Sequence, residues 1–182
     1  MAEKIGDESI YLRIAELKKG KIQFSDVTNA ERFVRDHGEV VRYNSAWKKW
    51  LVWNGRYWAT DESGALVHEK GLETVRNLYD ELAKTGDYRE RIDIEKHAIL
   101  SESVRRREAT IRAVQWKTEL NIKSEDLDKN PWLINLQNGT MDVSKGEFRE
   151  HRKEEMIAKI ANVAYDHQAD CPLWKQFIVF SL

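Results

Sequence analysis

Asn54-Gly55 stands between two runs crowded with Trp, Tyr and Val, in the stretch VVRYNSAWKKWLVWNGRYWATDESG. An Asn-Gly pair takes the positive φ angles that a tight reversal needs, and aromatic and β-branched residues suit a pleated surface. The stretch therefore reads as a β-hairpin, and residues 40–43 add a third antiparallel strand. Along the second strand Trp50 and Val52 share one face while Leu51 and Trp53 share the other. That leaves a sheet apolar on both faces, one of which is expected to pack on helices as core.

The helices are legible from spacing. Residues 10–19 form a short amphipathic segment with Leu12, Ile14, Ala15 and Leu17 as its apolar positions. Thr28 followed by Glu31 resembles a capping box opening NAERFVRDH, which Gly38 stops. Leu66, Val67, Leu72, Val75, Leu78, Tyr79 and Leu82 keep helical spacing over residues 66–84, and Gly86 ends that run. Residues 89–120 continue as two helices broken near Ser101-Glu102-Ser103, and residues 124–128 make a turn or a short helix. NPWLINLQNGTMDVSKGEFREH reads as a second hairpin, with Asn138-Gly139 in the turn region and Lys145-Gly146 as a further reversal. Residues 156–165 are a pairing partner for it, and Asp170, Cys171 and Pro172 start a last helix. The fold class is α+β, mainly helical, with a small antiparallel sheet near residues 40–60 and a β-hairpin near 133–150. Residues 1–25 form an N-terminal helical extension and 26–182 a single domain, with 26–86 and 87–182 as sub-lobes.

Charge narrows the function. Lys and Arg number 30 against 31 Asp and Glu, a net charge of -1, so any contact with nucleic acid must come from a local patch. The single Cys171 excludes an internal disulfide and a multi-cysteine zinc site; between Asp170 and Pro172 it reads as a buried or half-buried structural thiol. No apolar run approaches membrane-spanning length and the N-terminus lacks a signal-peptide core, which sets the expectation of a cytoplasmic protein with no membrane partner.

Catalytic patterns do not assemble. Neither a G-x-x-x-x-G-K-[ST] loop nor a G-x-G-x-x-G turn occurs, so no phosphate cradle is visible. His37, His68, His97, His151 and His167 are scattered without metal-ligand spacing. Asp61-Glu62, Asp126 with Asp128, and Glu154-Glu155 have the chemistry to hold Mg²⁺, yet each lies in a turn or helix start, where carboxylates cap amides. Cys171 has no cationic neighbour to activate it. No catalytic residue, cofactor site or metal site is expected, and the chain does not read as an enzyme.

Two features carry binding chemistry. Arg105, Arg106 and Arg107 run consecutively and are continued by Arg112 and Lys117; Arg105 and Arg112 are seven apart and share a helix face. Such arginines neutralise phosphates, or else pair with Glu102 and Glu108 as an ordinary solvated face. The other feature is Lys48 and Lys49 among Arg42, Trp47, Trp50, Trp53, Arg56, Tyr57 and Trp58, a mixture that can stack bases and hold phosphates or can simply be sheet core.

SESVRRREATIRAV, LDKNPWLINLQNGTMDVSKGEF and AYDHQADCPLWKQF follow one another in order, after the opening segment NAERFVRDHGEVVRYNSAWKKWLVWNGRYWATD. These segments resemble the domain that precedes the superfamily 3 helicase in phage, plasmid and poxvirus primase-helicases, over residues 28–177. The matching positions are Ser101 to Ser103, Asp128 to Val143, and Tyr165 to Trp174. The resemblance implies a non-catalytic accessory domain in DNA replication, which engages DNA, organises a helicase ring, or couples it to a primase. The implied partners are single- or double-stranded DNA without sequence preference, the helicase domain or other replication proteins, and further copies of the chain. ATP and Mg²⁺ belong to the helicase domain, whose phosphate loop would follow the Cys-Pro-x-Trp helix within a few dozen residues. The chain stops at FIVFSL before any such loop, which sets the expectation of a shortened product or a truncated prophage gene in a bacterial host. Two other readings stand beside this one. The apolar ending Phe177, Ile178, Val179, Phe180 and Leu182 suits a protein-interaction module without DNA binding, and Asp126, Asp128 or Glu154 would serve a metal-dependent nuclease or primase fragment.

Overall fold

Ser25 opens the first helix. Its Oγ accepts the Thr28 N–H at 3.2 Å while Thr28 Oγ1 accepts the Ser25 N–H at 3.0 Å, a reciprocal cap on α1 (Asp26–His37). The capping box expected to begin at Thr28 thus begins three residues earlier, with Thr28 as its second member. Gly38 closes α1 in the right-handed region at φ -60, donating to the Val34 carbonyl. Glycine is needed there for space, since a Cβ would strike the Val34 oxygen. The computed structural model describes residues 24–181; the helix expected over residues 10–19, and Leu182, lie outside the described residues.

The chain then forms β1 (Val41–Asn44), β2 (Lys49–Trp53) and β3 (Trp58–Asp61). Asn54 turns the hairpin between β2 and β3: its Oδ1 accepts the N–H groups of Arg56 and Tyr57, and Gly55 takes φ 90. Three helices follow, α2 (Ala65–Lys84), α3 (Tyr88–Ser101) and α4 (Val104–Gln115). Asp61, Asp87 and Ser103 each cap the first turn of one of them, accepting the N–H of Val67, Glu90 and Arg106 in turn. A short 3₁₀ turn (Thr118–Leu120) leads into β4 (Asn121–Ile122), which lies parallel to β1 with Tyr43 opposite Asn121 and Asn44 opposite Ile122. The sheet order is β3-β2-β1-β4, so the sheet is four-stranded and mixed, not three-stranded and antiparallel. Two residues are too few to show alternation, and β4 had no sequence signal of its own.

The chain divides into two units. Among the described residues one holds 24–50 and 61–122; the other holds 51–60 and 123–181. The division falls within β2 and after Ile122, not at Gly86. In the first unit Val75, Leu78, Ile94 and Ala98 form a buried cluster, with Phe24 and Leu82 packed against it. Gly71 lets α2 come close to α4, since a Cβ there would sit 3.3 Å from Ile111 Cδ1.

In the second unit Trp58 is 1% exposed; its N–H donates to Ile157 O and its indole Nε1 to Lys153 O, both at 2.8 Å. An antiparallel sheet is built from β5 (Leu133–Leu136), β6 (Gly139–Asp142) and β7 (Glu147–Arg149). Leu136 pairs with Gly139, so the reversal is the two residues Gln137 and Asn138, neither with positive φ. Gly139 is the first residue of β6 and not the left-handed member of the turn. Residues 156–165 do meet the hairpin, through Ala161 N–H to Asn135 O and Gln137 N–H to Val163 O, without becoming a strand. Cys171 and α5 (Pro172–Ser181) follow. Cys171 is exposed, which corrects its reading as a buried thiol: every described residue from 162 to 180 is exposed, and no described residue covers it.

Gly139 generates a prediction. A Cβ there would lie 2.5 Å from the Arg149 carbonyl oxygen and 2.6 Å from the Phe148 ring, and the carbonyl belongs to a paired strand that cannot retreat. Gly139→Ala should cost about 1–3 kcal/mol, read as a lower denaturant midpoint in chemical unfolding.

Candidate nucleic-acid interface

Helix α4 turns Thr110, Ile111 and Val114 into the first unit and leaves the opposite stripe in solvent. Arg105 and Arg112, seven residues apart, are both on the exposed side. Arg106 is half-buried, and Arg107 is drawn further in, with its Nε enclosed and lacking a hydrogen-bond partner. Glu102, expected to pair with these arginines, accepts the Tyr79 hydroxyl at 2.8 Å. Among the described residues no carboxylate pairs with Arg105, Arg106, Arg107 or Arg112. The other sequence candidates differ in this respect. Lys117 lies 3.6 Å from Glu31, and Lys49 is bound to Glu62 at 2.6 Å. Lys48 is exposed at the turn between β1 and β2, in the left-handed region at φ 54, with no acidic partner among the described residues.

The basic and aromatic residues of the first sheet separate by burial. Trp50 and Trp58 are buried, and Trp53 is half-buried against Trp58 with ring centroids 5.9 Å apart. These rings are core and not a stacking platform. Arg42 donates to the carbonyls of Gly38 and Val41, and Arg56 to Gln137 Oε1 at 2.8 Å. Sequence reasoning passed over Trp116, the C-cap of α4, which is 83% exposed. The signal was there: residues 105, 112 and 116 are spaced to continue one helical stripe.

A Ser-His-Asn grouping among the described residues is structural. His97 Nε2 lies 2.9 Å from Asn29 Oδ1 and 3.4 Å from Ser101 Oγ, and Asn29 Nδ2 donates to Ser101 Oγ at 3.0 Å. All three are buried, so no substrate reaches the hydroxyl. Burial pushes the His97 imidazole below its usual range, helped by the charges of Arg32 and Arg106 against the opposing pull of Asp26 and Glu81. His37 is pushed down in the same way, by burial and then by Lys70.

Among the acidic candidates, Asp126 and Asp128 serve the backbone. Asp126 Oδ2 accepts the Lys123 N–H, Asp128 Oδ1 accepts the Ala158 N–H, and Glu155 is ion-paired with Arg149 at 2.6 Å, while Glu154 is exposed. Among the described residues no three of His, Cys, Asp and Glu converge on a point where a metal would sit. Nor is any described helix long and apolar enough to cross a membrane.

The residues that carry the sequence pattern in the second unit have the same character. Asn135 Nδ2 donates to Arg56 O and to Lys159 O, at 3.0 and 3.1 Å. Its Oδ1 accepts Thr140 Oγ1 at 3.1 Å and lies 2.7 Å from His151 Nδ1, which must therefore carry the proton. Asn138 exchanges two hydrogen bonds with the Tyr165 backbone, and the Tyr165 ring packs on Phe148 at 4.6 Å. The fold and these anchors define an α+β architecture whose most specific residues build structure, with arginines along α4 that have no acidic partner among the described residues. The D5 N terminal like family model matches residues 30–180, and the chain belongs to that family. Among curated proteins none matches the chain.

Two outcomes follow from this geometry. Asn135→Ala leaves two carbonyls and the Thr140 and His151 donors without their partner, which should cost about 2–4 kcal/mol in chemical unfolding. For His97 the unfolded chain takes a proton near pH 6.5 while the folded chain resists it, so stability should fall as pH drops below about 6.5. Melting temperatures measured between pH 7.5 and 5 should show this fall, and it should be smaller in His97→Gln.

Proposed function

We propose that this chain is a non-catalytic accessory domain of a phage-type replicative primase-helicase of the superfamily 3 kind, and that it holds the nucleic-acid backbone along α4. Family membership supports the setting. The observation that carries the reading is the pair Arg105 and Arg112: exposed, on one helix face, and without acidic partners among the described residues. A guanidinium left unpaired in a chain of balanced charge is a ready site for phosphate, which it can grip in bidentate fashion. Arg106 and Lys48 add charge at either end, whereas Lys49 and Lys117 are weaker candidates because carboxylates already engage them.

A second reading rests on α5. Leu173, Trp174, Val179 and Phe180 are all exposed on one short helix, and a surface of that kind suits a protein partner, whether a helicase domain or another replication protein. This reading concerns the second unit and is tested separately from backbone binding by α4.

Fluorescence anisotropy against labelled DNA tests the first reading. Replacing Arg105 and Arg112 together by Ala should weaken binding about equally for every sequence. It should also flatten the dependence of log K on log salt by about 0.7–0.9 per arginine. Binding of the unaltered chain that this double variant leaves unchanged in strength and slope would remove α4 from the interface.

A further inference from the structure

Beside the arginine stripe lies a cleft of about 420 Å³, lined by Tyr43, Ser45, Lys48, Trp116, Thr118 and Asn121. The volume falls in the roughly 300–1,000 Å³ range of small-ligand sites. We propose that this cleft takes one unstacked base of a single-stranded nucleic acid, stacked on Trp116; the inference rests on the reading of α4 as a phosphate-binding helix.

The cleft is built where α4 ends and β4 begins. Asn121 Nδ2 donates to the carbonyls of Gln115 and Lys117, both at 2.9 Å, which ties the helix end to the strand directly opposite Tyr43. Both donors of that amide are thereby used, and Asn121 Oδ1 is left as an acceptor without a partner among the described residues. Tyr43 is fixed from behind by Trp50, with ring centroids 4.7 Å apart. Ser45 and Thr118 bring hydroxyls, and Lys48 brings an ammonium on a turn held by the Trp47 N–H bond to Asn44 Oδ1.

Trp116 is the feature that calls for a ligand. It is the most exposed tryptophan of the first unit, at 83%, and sits at a helix end that needs only a polar cap. Its neighbours have the charge of a phosphate binder: Arg112 lies one turn back on the same stripe, and Lys48 lines the cleft. A planar ring with cations on two sides matches a base with its flanking phosphates. The bases of a duplex are paired and stacked on one another and offer no free face to an indole, so the site selects single strands.

The test compares unaltered chain, Trp116→Ala and Trp116→Phe against three fluorescent probes: an oligothymidine, an abasic oligomer of equal length, and a duplex. The unaltered chain should bind oligothymidine roughly ten-fold tighter than the abasic strand. Trp116→Ala should lose roughly that factor for oligothymidine, with abasic affinity and salt slope unchanged, and Trp116→Phe should keep most of it. Exposure of Trp116 means that the variants fold, which equal melting temperatures check. If Arg105 and Arg112 variants weaken binding while Trp116→Ala leaves all three affinities unchanged, the cleft is not a base site but the α4 reading survives. The same pattern with loss of self-association in Trp116→Ala would assign the cleft to a protein contact instead. If the unaltered chain binds none of the probes, both readings fall.

Discussion

Asn135 has two donors and an acceptor oxygen in one flat amide, and the second unit engages all of them. The reason lies in the chain it faces. Residues 156–165 run beside the hairpin without forming a strand, so their backbone groups lack the automatic satisfaction of a ladder, and each must find an individual partner. Asn135 supplies one for Lys159 and reaches back to Arg56; Asn138 serves Tyr165 in the same fashion, and Asp128 serves Ala158. In the first unit Asn121 does the equivalent for the end of α4, and Asn29 for His97 and Ser101. The protein joins irregular segments with side-chain amides. This accounts for why the pattern that identifies the family is rich in Asn and Asp while no catalytic constellation forms around them.

Much of the architecture was legible because it rests on local chemistry. The break at Ser101-Glu102-Ser103 separates α3 from α4, and Ser103 caps the second helix through its own hydroxyl. Asn54-Gly55 turns its hairpin with the expected Asn acceptor and left-handed glycine. What escaped depends on distant partners. Strand β4 exists because Asn121 and Ile122 lie against β1, which no periodicity over two residues can reveal. Gly139 looked like a turn glycine, yet it is small because the Arg149 carbonyl and the Phe148 ring approach it from β7. Cys171 looked buried from its flanks alone, whereas burial depends on what packs above it.

The candidate site divides along the same line. Spacing placed Arg105 and Arg112 on one face, and the helix keeps them there. Spacing could not tell which cations would remain unpaired, because Glu31 and Glu62, which claim Lys117 and Lys49, are far off in sequence or across a hairpin. Nor could alternation in a sheet apolar on both faces distinguish core tryptophans from exposed ones. Trp50 and Trp58 went inside, while the most exposed tryptophan, Trp116, came from a helix end.

The chain visits the second unit twice, first with residues 51–60 and again from residue 123, and the three helices α2, α3 and α4 between those visits belong to the first unit. Trp58 therefore emerges during synthesis long before Lys153 and Ile157, which give its indole and its N–H their acceptors. Until those residues arrive, the hairpin presents an uncovered aromatic surface and an incomplete set of backbone bonds. The loop that must close to finish it is entropically more costly than any local contact in α2, α3 or α4. The helical unit is thus the part that can form early, and the second unit is the late, long-range step, with Trp58 as the residue whose environment changes last.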